Sequence, residues 1–455
     1  ERGEGREKEP PIGDLVDLAK RDLDPTKKKN STKNQKQEPF LGQRLPDASG
    51  RPGPQYDWMT YAQAGAVRDA LGAGLVSLGI APGKDRMGLY SVNCRDWVLL
   101  DAAAHSQSVV SVPLYDTLGE DAVSYICAHS ELACVGCSGE ALPTLLHALP
   151  RCPTVRLVVV YGLAPGGVPY PPASGTTNAR VVTIDELAAA GRQNLRRVEH
   201  RPPRPEDVAT ICYTSGTTGV PKGAVLSHAN LVADAAGSFR ILRAAPGDVH
   251  VSYLPLAHIY ERVTVLGLTH CGAAVGFFSG DVQALLDDVL LLRPTIFCSV
   301  PRLWNRIHDR VLGQVRQGSA VARRLFEAAY GHKRAALARG DLSGGGIAGA
   351  FWDALVFSKV RAKLGGRVRL MTTGASPISG DVIDFMRVCF GATVVVRLKE
   401  KKEKKREGEK RDFLFFRGFF IFFSFLHLLS FTHSSLFSLF LSLSRLSLSL
   451  SLSLS

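Results

Sequence analysis

Short apolar runs bounded by turn residues recur along the chain. They are MGLYSV (87–92), VVSVPLY (109–115), VRLVVVYG (155–162), VATICYT (208–214), VHVSYLP (249–255), TIFCSVP (295–301) and VRLMTTG (368–374). ELACVGCSG (131–139) reads as one more buried strand. Between the runs lie longer stretches with helical spacing, at 60–79, 119–129, 260–272, 302–313, 319–338 and 379–390. Buried strands that alternate with helices predict an α/β chain, doubly wound, with mostly parallel sheets flanked by helices. The Gly- and Pro-rich stretch 163–180 is expected to be a surface loop.

The pattern fails at both ends. Residues 1–38 are charged and poor in apolar side chains, with KKKNSTKNQKQ their most polar part, and are expected to be disordered. The periodic texture runs from 39 to 396, the expected globular domain. Residues 397–412 form a charged linker, and 413–455 a Phe/Leu/Ser-rich, low-complexity tail that ends in a Leu-Ser repeat and holds 11 of the 21 Phe. Residues 418–444 contain no Asp, Glu, Lys or Arg, a stretch long enough to cross a bilayer, with basic residues upstream. Two readings of this tail stand: a membrane anchor, and a low-complexity segment not selected for folding, which is favoured.

At 455 residues, with 45% hydrophobic and 21% charged side chains, the composition is that of a soluble globular protein of two to three domains. The net charge of +13 changes little once located: 397–455 contribute +6 and 1–54 contribute +2, leaving +5 across 55–396. No basic stripe with interleaved aromatics lies there, so no nucleic-acid partner is expected. Nine scattered cysteines point to a reducing, intracellular compartment. Cys134 and Cys137 form a CxxC with Cys127 and His129 just upstream, but a second pair at zinc spacing is missing, and the buried-strand reading is preferred. The first residue is Glu rather than Met, so a longer N-terminus is expected.

The densest chemistry is YTSGTTGVPKG, Tyr213 to Gly223. An apolar strand delivers the chain to a turn whose glycines, Gly216 and Gly219, permit close backbone approach. Backbone N–H groups there can form an anion nest. Thr214, Ser215, Thr217 and Thr218 add hydroxyls, and Lys222 adds a point charge for a terminal phosphate. The spacing is not GxxxxGK[ST], since no Ser or Thr follows the lysine. The plain alternative is a Gly/Ser/Thr loop between a strand and a helix.

YTSGTTGVPKGAVLSHANL closely resembles the signature loop of the adenylate-forming superfamily of acyl-CoA synthetases. Four more stretches, at 89–126, 253–263 (YLPLAHIYERV), 297–307 (FCSVPRLWNRI) and 370–391, resemble the eukaryotic long-chain acyl-CoA synthetases in the same order. The resemblance covers about residues 39–396 and implies the N-terminal part of the adenylate-forming fold. It implies two steps: a long-chain fatty acid carboxylate attacks ATP to give acyl-adenylate, and coenzyme A then displaces AMP. It implies that Tyr213–Gly219 and Lys222 hold the phosphates, with Lys222 catalytic, and that Thr214 contacts Mg2+. His258, in LPLAHIYER, would lie between the adenylate and the acyl pocket as a second catalytic residue. Gly374, Ala375 and Ser376 would form the turn against which adenine packs. The apolar segment 262–278 is either a tunnel wall or a plain core helix. Arg302 is read as a helix cap or as the partner of a carboxylate and receives no catalytic role.

After VCFGATVVV the resemblance stops. The family continues with a YGxTE-type motif, a ribose-binding aspartate, a hinge and a C-terminal lid domain, where this sequence has RLKEKKEKK. Incomplete metal ligation and a missing lid imply that the chain as written binds ATP without measurable turnover. The expectation is therefore a long-chain acyl-CoA synthetase in truncated form, with possible membrane association through the tail. The alternative is a non-catalytic nucleotide- or acyl-binding protein tethered to a membrane, and a weaker one keeps the fold but takes an aromatic or short-chain acid.

Overall fold

The computed structural model describes residues 37–47, 51–162, 179–214, 221–341, 344–374 and 376–396. Two compact units divide the chain at Lys399/Glu400, and the second, with the candidate membrane segment at 418–444, lies outside the described residues. In chain order the strands are β1 (Pro39–Gln43), β2 (Asp57–Thr60), β3 (Arg86–Tyr90), β4 (Val110–Leu114), β5 (Cys134–Ser138), β6 (Leu157–Tyr161) and β7 (Arg180–Thr183). They continue with β8 (Val208–Thr214), β9 (Lys222–Ser227), β10 (Val249–Ser252), β11 (Ala274–Phe277), β12 (Ile296–Ser299), β13 (Leu370–Thr373) and β14 (Thr393–Val396). They form two seven-stranded sheets, ordered β7-β6-β5-β3-β4-β8-β9 and β14-β13-β12-β10-β11-β1-β2.

All pairings are parallel except β8–β9 and β1–β2, the outermost pair at one edge of each sheet. Parallel neighbours need a crossover, and between β3 and β4, β5 and β6, β10 and β11, β12 and β13, and β13 and β14 helices supply it. In the first sheet the strand order reverses around β3, which lies between β5 and β4. In the second it reverses around β10, between β12 and β11. Open α/β sheets bind ligands beyond the carboxyl ends of strands at such reversals.

Every apolar run singled out in the sequence contains a strand, and each of the six helical stretches is a helix. The segment 262–278 is not one aliphatic helix. The helix Ile259–Cys271 ends at Gly272, whose φ of 74° only a glycine adopts without strain, and β11 follows with all four residues buried. Within β5, Cys134 and Cys137 are three apart, so strand alternation sends them to opposite faces and into two different core clusters. They cannot ligate one ion together. Most of the 163–180 stretch lies outside the described residues, but Arg180 already belongs to β7.

The helices Tyr61–Ser77 and Ile184–Asn194 approach backbone to backbone. A Cβ on Gly191 would fall 1.7 Å from the Ala70 carbonyl oxygen, and one on Gly74 2.3 Å from that of Leu187. Both positions therefore exclude any side chain unless the helices part. Among the described residues no helix is long and apolar enough to cross a membrane.

Candidate functional site

The phosphate-loop candidate is a hairpin. β8 pairs antiparallel with β9 so that Thr214 faces Lys222 and Tyr213 faces Gly223. The segment thus returns as a strand, and the next helix begins only at His228. Ser215, Gly216, Thr217, Thr218 and Gly219 lie outside the described residues. At the feet of the hairpin Thr214 and Lys222 are exposed.

Tyr213 points the other way, into the core. Its hydroxyl shares a 2.6 Å hydrogen bond with His129 Nδ1, and Tyr125 stacks on the same imidazole. Tyr125 Oη donates to the Pro221 carbonyl (3.3 Å), so one helix, Glu120–His129, holds both feet of the hairpin. A Cβ on Gly223 would meet Ile211 at 2.7 Å and the Tyr213 ring at 3.3 Å, which explains the glycine after Lys222.

His258 is the N-cap of the helix Ile259–Cys271. Its Nδ1 accepts the Tyr260 amide (3.1 Å), so a neutral ring carries its proton on Nε2. The ring is exposed, in the segment beyond the carboxyl end of β10, the strand at which the second sheet reverses. In the helix's first turn the Tyr260 hydroxyl meets Thr372 Oγ1 of β13 (2.6 Å), two residues before Gly374. Gly374 is buried and Ser376 exposed, while Ala375 lies outside the described residues. Ser379 then caps the helix Gly380–Phe390.

Arg262 ties this helix to the first sheet. Its Nη2 donates to both Asp101 oxygens (2.8 and 2.9 Å) and to Ser111 Oγ of β4 (2.9 Å), while Nη1 donates to Thr210 Oγ1 of β8. The guanidinium lies 5.5 Å above the Trp97 ring. Burial opposes ionisation of Asp101, yet Arg262 beside it, with His105, holds the carboxyl below its usual range. Burial, reinforced by Arg262, lowers His105, and burial together with His105 pushes His228 down to about 4. A second pair lies inside the helix–sheet contact. His250 Nε2 and Glu261 Oε1 are 3.1 Å apart and both side chains are fully buried. Burial works against the imidazolium there, but Glu261 outweighs it and His250 rises to about 10.

These bonds bring together three stretches distant in sequence. Thr214 ends β8, His258 follows β10 and Gly374 follows β13, and the first turn of one helix bonds both flanking strands through Arg262–Thr210 and Tyr260–Thr372. Arg262 stood in the quoted YLPLAHIYERV without a role. A charged residue followed by TVLGL on a helix was the available signal, because a buried charge must find a partner. His129 and Tyr125 gave no signal short of the fold.

An apolar cavity of about 300 Å3 adjoins the same helix. Phe40, Gly65, Trp97, Leu231, Leu256 and Val263 contribute to its walls. Among the described residues no group of three or more His, Cys, Asp or Glu side chains is placed to hold a metal ion.

The fold is shared with the adenylation domain of the carboxylate reductase from Mycobacterium chelonae, at a TM-score of 0.64 and 21% identity over 80% of this chain and 55% of that one. A protein-family profile described as AMP-binding enzyme matches residues 33–398, and the chain belongs to that family. It is 48% identical over 355 residues to the peroxisomal long chain acyl-CoA synthetase 7 of Arabidopsis thaliana, covering 78% of this chain and 49% of the relative. It is also 37% identical over 361 residues to human long-chain-fatty-acid–CoA ligase 1, with coverage of 78% and 49%. The chain spans about half the length of these curated relatives.

The depressed histidines set an acid limit. Between the ordinary histidine pKa of about 6.5 and the folded value, the unfolded chain binds protons that the fold does not, so stability is lost as the pH falls through that window. For His228 that window runs from about 6.5 to about 4. Chemical denaturation at a series of pH values is expected to show this slope, and His228→Gln to flatten it. An unchanged slope would refute the assignment.

Proposed function

We propose that the chain is the ATP- and acyl-handling part of an enzyme that activates long-chain fatty acids as acyl-CoA. The observation that carries this reading is the bonding of the His258-capped helix to β8 and to β13, which supports a site shared by the hairpin, the imidazole and the small-residue turn. The sequence similarity to long-chain acyl-CoA synthetases supports a long-chain fatty acid as the acid.

In the first step a fatty carboxylate oxygen bonds to the α-phosphorus of ATP, and the bond to pyrophosphate breaks. Lys222 and the hairpin amides bear the charge of the departing β- and γ-phosphates. His258 offers Nε2–H to a carboxylate oxygen and holds it in line. Adenine lies against Gly374–Ser376. Mg2+, when bound, would neutralise phosphate charge, and exposed Thr214 offers it one hard oxygen. In the second step the thiol of coenzyme A bonds to the acyl carbon and AMP leaves, with the thiol proton passing to solvent.

The acyl chain takes the cavity beside the helix Ile259–Cys271, whose exposed lining is mostly apolar and suits a hydrocarbon, although Arg68, Asp101, His105, His228 and Arg262 also border it. All nine cysteines are free thiols, which suits the intracellular location proposed with this function.

Calorimetric titration tests the reading. ATP and a non-hydrolysable palmitoyl-adenylate analogue are both expected to bind, and Lys222→Ala to weaken ATP by roughly 10–100-fold, the loss of one strong charge-assisted contact. Failure of the unaltered chain to bind either ligand, or an unchanged affinity in Lys222→Ala, would overturn it.

The cavity assignment has its own test. Gly65 borders the cavity and a Cβ there would meet nothing within 4 Å, so a side chain at this position has free space to start into. Gly65→Phe is expected to weaken the palmitoyl analogue while leaving the octanoyl analogue unchanged, read in the same titration. Equal effects on both would place the chain elsewhere.

A further inference from the structure

We propose that Asn93, in the first sheet's β3 turn, is a positioning residue that sets where His258 presents its ring. The two sheets reverse at β3 and at β10, and the segments beyond those two strands meet at this one side chain. Asn93 is only 5% exposed. Its Nδ2 donates to Ser252 Oγ (3.0 Å) and to the Leu254 carbonyl (2.7 Å), and its Oδ1 accepts the Leu256 amide (2.7 Å). Both amide hydrogens and one lone pair are thus spent on alternate residues of a single stretch, 159 to 163 positions along the chain.

Two residues further on, the His258 amide donates to the Pro255 carbonyl (2.8 Å) and turns the segment into the helix cap. Leu254, Leu256 and Ala257 are buried, and His258 emerges exposed. Arg262 holds the helix from the far side of His258, so Asn93 and Arg262 bracket the histidine from the sheet that carries Thr214 and Lys222. Tyr253, whose hydroxyl meets Ser299 Oγ at 2.5 Å, fixes the segment only to its own sheet. Asn93 is therefore the polar link that registers the approach to His258 against the hairpin. Removing it strands two acceptors and a donor in a buried site and lets the segment shift.

Because His258 acts here as proposed above, the inference rests on that reading, and the experiment separates the two. Asn93→Ala is expected to weaken the palmitoyl-adenylate analogue about tenfold while ATP changes less than about twofold, and in a His258→Ala background the loss should vanish, the signature of coupling. Equal weakening of both ligands, or a loss that persists without His258, would overturn the proposal. If the unaltered chain binds no analogue, the functional reading fails, and amide hydrogen exchange decides the positioning alone. There the Leu256 and His258 amides should exchange about tenfold faster in the variant with the core of β3 unchanged, and unchanged exchange would overturn it. Asn93→Asp keeps the volume and the acceptor for the Leu256 amide but removes both donors, and gives the same ligand-binding readout where the alanine variant does not fold.

Discussion

A guanidinium withdrawn from water must be surrounded by acceptors or it destabilises whatever encloses it. Arg262 is enclosed by two helices and two strands and meets that condition with Asp101, Ser111, Thr210 and the face of Trp97. Its partners come from the first sheet and its helix follows β10 of the second, so the charge can be satisfied in one relative placement only. The neighbouring histidines share the constraint: beside Arg262 they remain neutral.

Function hangs on that placement because the candidate site has no sheet of its own. The hairpin belongs to one sheet, and His258 and the Gly374 turn belong to the other. Thr214, Lys222, His258 and Ser376 are exposed while Gly374 is buried, and each segment is anchored by a polar contact a few residues away: Tyr213 on His129, Arg262 on Thr210, Tyr260 on Thr372. Exposed groups remain available to a ligand while buried bonds specify where they stand.

Much of this was legible in the chain. Parallel strands buried on both faces read as continuous apolar runs, so LVVVY and VATICYT announced themselves. The edge strands β2 and β9 did not, because DWMT and KGAVLS are half exposed and mix polar with apolar residues. β11 hid because the apolar run passes through Gly272 without a polar break. The phosphate loop, His258 and the Gly374 turn were legible as motifs. Their anchors were not, since an asparagine, a histidine or an arginine reveals a partner 50 to 160 residues away only once the sheets are assembled.

The central claim is that the buried Arg262 charge joins the two sheets and thereby assembles the site. Urea denaturation of Arg262→Met and of Arg262→Met/Asp101→Leu tests it most directly. The account predicts a loss of about 3–5 kcal/mol in the single variant, where Asp101 loses its charged partner and keeps only His105 and Ser111 beside it, and recovery of most of it in the double variant. A single variant as stable as the unaltered chain, or a double variant with the two losses simply added, would contradict it.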